Sequence, residues 1–212
     1  MRISDLATPQ LTEFWSLRED VRVSCESDPV ETLVLHASGT ELRIAHPSAL
    51  LREAVRRMLL GSVSLRNIVP DFPDYNTPHD SLDVGTKELL VELAELGHLI
   101  IRTIAVGSET LLSVITLESG NSLTPEALPA TWSAHLAPSV RIRLLKHRAL
   151  IESSSSCHRA EIEQVETLDR LGLTQRPHPE ALPAEPAAPL PASALDASIA
   201  YLVAADLVLL AE

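Results

Sequence analysis

The chain has 212 residues, 45% hydrophobic but only 3% aromatic, so it can bury one or two aliphatic cores. A net charge of −12 and a pI near 5.1 argue against a nucleic-acid partner, which needs a basic stripe to neutralise phosphates, although an acidic protein can still carry a local basic patch. No apolar targeting segment opens the chain and no apolar run is long enough to span a membrane. Cys25 and Cys157 are far apart and read as shielded free thiols, so the expectation is a cytoplasmic protein with no membrane partner.

Residues 1–20 read as a lead-in that lays Phe14 and Trp15 on a core. Period-two alternation follows. Val21, Val23 and Cys25 share one face, Leu33 and Leu35 the next, Leu42 and Ile44 a third, with turn-like Glu26-Ser27-Asp28-Pro29 and Ala37-Ser38-Gly39-Thr40 between. Three such segments predict an antiparallel meander. Pro47-Ser48 then opens a helix in which Leu51, Val55, Met58 and Leu59 recur at helical spacing, ended by Gly61. Ser64 opens a short second helix, and residues 70–78 form a proline-rich loop. A third helix begins between Asp80 and Asp83, places Leu82, Leu89, Leu93 and Leu96 on one face, and stops at Gly97. Leu99 to Leu117, turning at Gly107-Ser108, predicts a hairpin, which behind a third helix is a wing.

Residues 118–138 read as a linker, with Pro125, Pro129 and Pro138. The strand pattern restarts at Val140-Arg141-Ile142, continues through Arg148 to Glu152, and includes Cys157 to Ile162. A short helix carries Val165, Leu168 and Leu171 up to Gly172. A Pro/Ala-rich insert spans 174–193, Ser193 and Asp196 form a capping-box-like pair, and a helix and a last strand close the chain. Leu93–Ile101 and Leu202–Leu210 both read as helix end, breaker and apolar strand, and Val21-Arg22-Val23 matches Val140-Arg141-Ile142. The expected class is therefore α+β: two tandem winged-helix-like units, each a three-stranded antiparallel meander followed by helices and a wing. The first spans 21–117 and a degenerate second spans 139–212.

Beginning with Leu17-Arg18-Glu19-Asp20-Val21-Arg22-Val23, this order resembles the N-terminal, non-flavin half of the SagB-type thiazole/oxazole-forming peptide dehydrogenases. Ala149-Leu150-Ile151-Glu152-Ser153 is similar to that family's Leu-Glu-Ser-Pro-Leu-Ser region, with Ser154 in place of the usual proline. The resemblance covers residues 14–212 through short, largely hydrophobic motifs, and the first unit is similar to PqqD-like recognition elements of ribosomally made peptides. In that family a flavin-binding nitroreductase-type domain follows and performs the oxidation. None follows within these residues, and no Arg-Ser-rich clamp for FMN occurs in them. The resemblance thus implies a non-catalytic accessory subunit with no cofactor of its own, any FMN lying on a partner chain. Its expected partners are a precursor leader peptide, a separate flavin dehydrogenase or cyclodehydratase, and a second copy of itself in a homodimer.

Leader binding by strand addition would use the third strand of the meander and the third helix. The residues expected to carry it are Leu42, Arg43, Ile44 and Ala45 from the strand, with Lys87, Leu90, Val91 and Ala94 from the helix. One alternative is a dimerisation or scaffold subunit of a split FMN dehydrogenase. Another is a winged-helix transcription regulator, disfavoured because the third helix carries Glu88, Glu92 and Glu95 against Lys87 alone. His36 and His46 end neighbouring strands but lack a third ligand at metal spacing, so no metal site is expected. Ser153-Ser154-Ser155-Ser156 reads as a solvated turn rather than a nucleophile, and Asp71, Asp74, Asp80 and Asp83 as a solvated acidic loop.

Overall fold

The computed structural model describes residues 10–27, 30–173 and 190–211. In chain order these form β1 (Leu11–Leu17), β2 (Arg22–Glu26), β3 (Thr32–Ala37), β4 (Thr40–Ala45), α1 (Ala49–Met58), α2 (Val84–Glu95), β5 (Ile100–Val106) and β6 (Glu109–Thr116). They continue with β7 (Ser133–Leu136), β8 (Val140–Leu145), β9 (Arg148–Ser153), β10 (His158–Ile162), α3 (Glu166–Arg170), α4 (Ala192–Ala204) and β11 (Val208–Ala211). The architecture is mixed α+β with antiparallel sheets, among them the three-stranded meander β2-β3-β4.

Local chemistry accounts for many of the elements. Ser48 caps α1, its hydroxyl accepting from the Leu51 amide at 3.0 Å, and Leu51, Ala54, Val55 and Met58 form the buried stripe. Asp83 caps α2 in the same way, accepting from the Thr86 amide at 3.0 Å, which starts the helix at Val84, just past the expected window, and leaves Leu82 outside it. Gly107 opens the two-residue β5–β6 turn at φ 59°, a left-handed conformation that glycine adopts without steric cost. The short second helix is a single 3-10 turn, Leu65–Asn67, and Ser64 makes no side-chain cap to it.

Several boundaries differ from the sequence reading. Residues 11–17 are not a lead-in but strand β1, which pairs with β5 from Leu11 opposite Val106 to Leu17 opposite Ile100. Phe14 and Trp15 then point to opposite faces, so only Trp15 enters the core. The hairpin β5–β6 is not a projecting wing. It lies inside a six-stranded sheet of order β1-β5-β6-β10-β9-β8, because β6 pairs onward with β10. The stretch 118–138 is more than a linker, since its β7 pairs with β11, Leu136 opposite Val208. Ser193 and Asp196 do not cap α4, which already starts at Ala192 with Pro191 at its N-cap; most of the insert 174–193 lies outside the described residues. Cys25 is exposed rather than shielded, since β2 is an outer strand of its sheet.

The halves share an element order. β1, a meander, two α-helices and β5 paired back on β1 correspond to β7, the meander β8-β9-β10, α3, α4 and β11 paired back on β7. Two buried clusters follow the same division. One joins Trp15, Leu35, Leu51, Leu89 and Ile100; the other joins Ile104, Leu112, Ile151, Ile199 and Tyr201. β5 crosses from the first cluster to the second, so a single sheet is common to both cores.

Candidate functional site

Strand β4 is the outer strand of its sheet and pairs only with β3 among the described residues. The two-residue turn Ser38-Gly39 pairs Ala37 with Thr40. Hydrogen-bonded and non-bonded positions alternate from such a turn, so Leu42 and Ile44 bond back to Leu35 and Leu33. The His46 amide donating to the Glu31 carbonyl at 2.9 Å continues that alternation. Glu41, Arg43 and Ala45 consequently direct their N–H and C=O groups toward the free edge, and all three residues are exposed. On the other axis, Ile44 is buried and Leu42 packs against the same core, while the Arg43 guanidinium bridges Glu26 and Glu41. Residues 11–17, which would have blocked this edge, pair with β5 instead.

The helix residues expected to complete that surface face elsewhere. Leu90, Val91 and Ala94 line a cavity of about 500 Å³ between α2, residues 72–78 and residues 122–127, and no residue of β4 lines it. Lys87 stays outside it, its ammonium 3.5 Å from the Asp80 carbonyl oxygen. α2 is oriented by Glu92, whose carboxylate accepts from the Ser48 amide at 2.8 Å and from its hydroxyl at 2.5 Å. This turns Leu89 and Leu93 into the core and the Leu90–Ala94 stripe toward the loops. Gly97 ends that stripe: a Cβ there would sit 3.0 Å from the Asn121 carbonyl oxygen, so the loop can approach the helix end only over glycine.

Trp15, Phe72, Ile100 and Val114 supply apolar walls, and Glu13 and Arg102 supply the charge. Arg102 is clamped from four sides. Its Nε donates to Glu13 at 2.8 Å, its Nη1 to the Leu123 carbonyl at 2.6 Å and its Nη2 to the Tyr201 hydroxyl at 2.5 Å. Its guanidinium carbon lies 4.4 Å from the Trp15 ring centroid and 4.8 Å from that of Tyr201. The Tyr201 hydroxyl also donates to Glu13. Burial is the largest single influence on Arg102 and opposes its charge, but Glu13 and Tyr201 together outweigh it and raise the guanidinium pKa. Burial likewise pushes Tyr201 well above the ordinary phenol range, so it remains a neutral donor. None of Glu13, Arg102 and Tyr201 stood out in sequence. The one signal was an arginine within the otherwise uncharged strand Ile100–Val106.

Other candidates resolve into structural roles. His36 and His46 lie at opposite ends of the β3–β4 hairpin, and His36 Nδ1 is 3.3 Å from Glu41. Among the described residues no three His, Cys, Asp or Glu side chains converge as metal ligands. The hydroxyls of Ser139, Ser153 and Ser155 bond one another, and Ser156 donates to the Ala205 carbonyl at 2.6 Å. Asp74 pairs with Arg66 at 2.6 Å. No protein-family model matches this chain, and no curated protein matches it.

Proposed function

We propose that this protein is a peptide-binding accessory subunit in the maturation of a ribosomally made, azole-forming peptide. It would bind the precursor's leader and present it to a separate flavin dehydrogenase or cyclodehydratase, any FMN residing on that partner. The winged-helix-like reading of the two halves belongs to the same proposal. The observation that carries it is the open edge of β4, where Glu41, Arg43 and Ala45 offer outward backbone donors and acceptors. An extended leader adding there gains main-chain hydrogen bonds that tolerate many sequences.

The direct test titrates the chain with the labelled leader of a precursor peptide encoded beside its gene, the encoded partner enzyme being present. The expected result is saturable binding tighter than about 100 μM, or roughly −5.5 kcal/mol. Weaker binding removes the proposal.

A scaffold role in a split FMN dehydrogenase has its own supporting observation. β8 ends the six-stranded sheet, and its Leu144 and Leu145 are exposed. Co-purification with a flavoprotein in the absence of leader, with no leader affinity, favours that role.

A further inference from the structure

We infer that the cavity beside α2 is a binding site for a small apolar amine, a hydrophobic body carrying a protonated nitrogen. The inference is independent of peptide addition at β4, whose residues do not line this cavity.

Size and walls set the body of the ligand. About 500 Å³ is the volume of an ordinary small-molecule site, and Trp15, Phe72, Leu90, Val91 and Ile100 offer it apolar surface. The polar groups set its head. Among the described residues Arg102 is the only cation in the lining, and its Nε, Nη1 and Nη2 are already donating to Glu13, Leu123 and Tyr201. A ligand carboxylate or phosphate would find its charge already neutralised by Glu13. It would also face Glu126 at the mouth.

An ammonium would find the Glu13–Arg102 pair equally neutral in net charge, so its advantage rests on acceptors that the pair and the rest of the lining leave unbonded. Glu13 accepts from Arg102 and Tyr201 through Oε1 alone, leaving Oε2 without a protein donor among the described residues. Glu126 is exposed and has no hydrogen bond or ion pair there either. Asp74 is the third acid of the lining and is held by Arg66. Two acceptors thus stand open beside apolar walls, Glu13 largely buried and Glu126 exposed. A charge-assisted N–H to carboxylate bond in that setting is stronger than a neutral one.

The experiment is calorimetric titration of the full chain with three probes that share a phenethyl body: phenethylamine, phenethyl alcohol and phenylpropionate. The amine should bind about tenfold more tightly than the carboxylate, with the alcohol between them. Ala94→Trp, which fills the cavity from an exposed position on α2, should weaken all three about tenfold. Glu13→Gln and Glu126→Gln should each bring the amine and alcohol affinities together. Because Glu13 also holds Arg102, Glu126→Gln and Ala94→Trp decide the matter if Glu13→Gln does not fold.

Equal or tighter binding of phenylpropionate overturns the proposal. So does amine binding that survives Ala94→Trp, or no binding of any probe at millimolar concentration. Ala94→Trp should leave leader titration at β4 unchanged, so the two readings fail separately.

Discussion

Arg102 donates to the Tyr201 hydroxyl at 2.5 Å, and this bond ties β5, an inner strand of the main sheet, to the helix that closes the second core. Glu13, on β1, completes the link with a 2.7 Å ion pair to Arg102, whose side chain is only 14% exposed. Three segments remote in sequence are therefore joined through one buried charge.

Removing the cation should cost far more than removing the hydroxyl. Arg102→Met strands the Glu13 carboxylate at a largely buried site, a loss of about 3–5 kcal/mol. Tyr201→Phe keeps the ring and loses two hydrogen bonds, a loss of about 1.5–3 kcal/mol. Urea unfolding of both variants checks the ranking, and a smaller loss for Arg102→Met contradicts the clamp.

Two neighbouring proline substitutions separate the outer edge of β4 from its inner ladder. Arg43→Pro deletes an N–H that faces the free edge, which an outer strand tolerates, so the fold should persist while leader affinity falls at least about tenfold. Leu42→Pro deletes a bond to β3 and should lower the melting temperature instead. Circular dichroism melts beside peptide titration give both readouts.

Gly97→Ala should disturb the cavity through its loop. The added Cβ meets a backbone oxygen, Asn121, at 3.0 Å, so residues 121–127 must shift rather than a flexible side chain. A cost of about 1 kcal/mol is expected, together with weaker amine binding, and both are read by denaturation and calorimetry.

Mild acid should destabilise the protein through two buried histidines. Burial, helped by Arg18, lowers the pKa of His98 below its ordinary 6.5, and neither of its ring nitrogens has a hydrogen-bond partner among the described residues. Burial also lowers His158, against an opposing pull from Asp206. The unfolded chain takes up these protons first, so stability is intact above about pH 6.5 and falls as pH drops below it. Each histidine contributes at most about 1.4 kcal/mol per pH unit. Melting temperatures between pH 7 and pH 5 should decline, and His98→Phe should flatten the decline. The carboxylates act at lower pH: hydrogen bonds from Arg56 and Arg57 hold half-buried Glu53 down to about 2, so its contribution disappears only as pH falls below its ordinary 4.5.

What could be read along the chain was what neighbours in sequence decide. Alternation at Leu33–Leu35 and Leu42–Ile44, the caps Ser48 and Asp83, and the Gly107-Ser108 turn each depend on residues a few positions apart, and they marked the meander, both helices and the hairpin. Thr12-Glu13-Phe14-Trp15 lacks that alternation, so β1 passed for a lead-in until its pairing with β5 appeared. The candidate groove divided for a related reason. Leu90, Val91 and Ala94 were legible as one stripe of a helix, but which neighbour that stripe faces depends on Glu92 meeting Ser48.

The sequence by itself determined the α+β class, the aliphatic cores, an acidic third helix and the three-stranded meander, because periodicity, charge and turn chemistry are local properties. Only the tertiary structure decided that β6 pairs with β10 and that Glu13, Arg102 and Tyr201 share one buried site. Backbone ladders carry no residue code for their partner strand. A buried ion pair, in turn, exists only once distant segments have packed closely enough to exclude water.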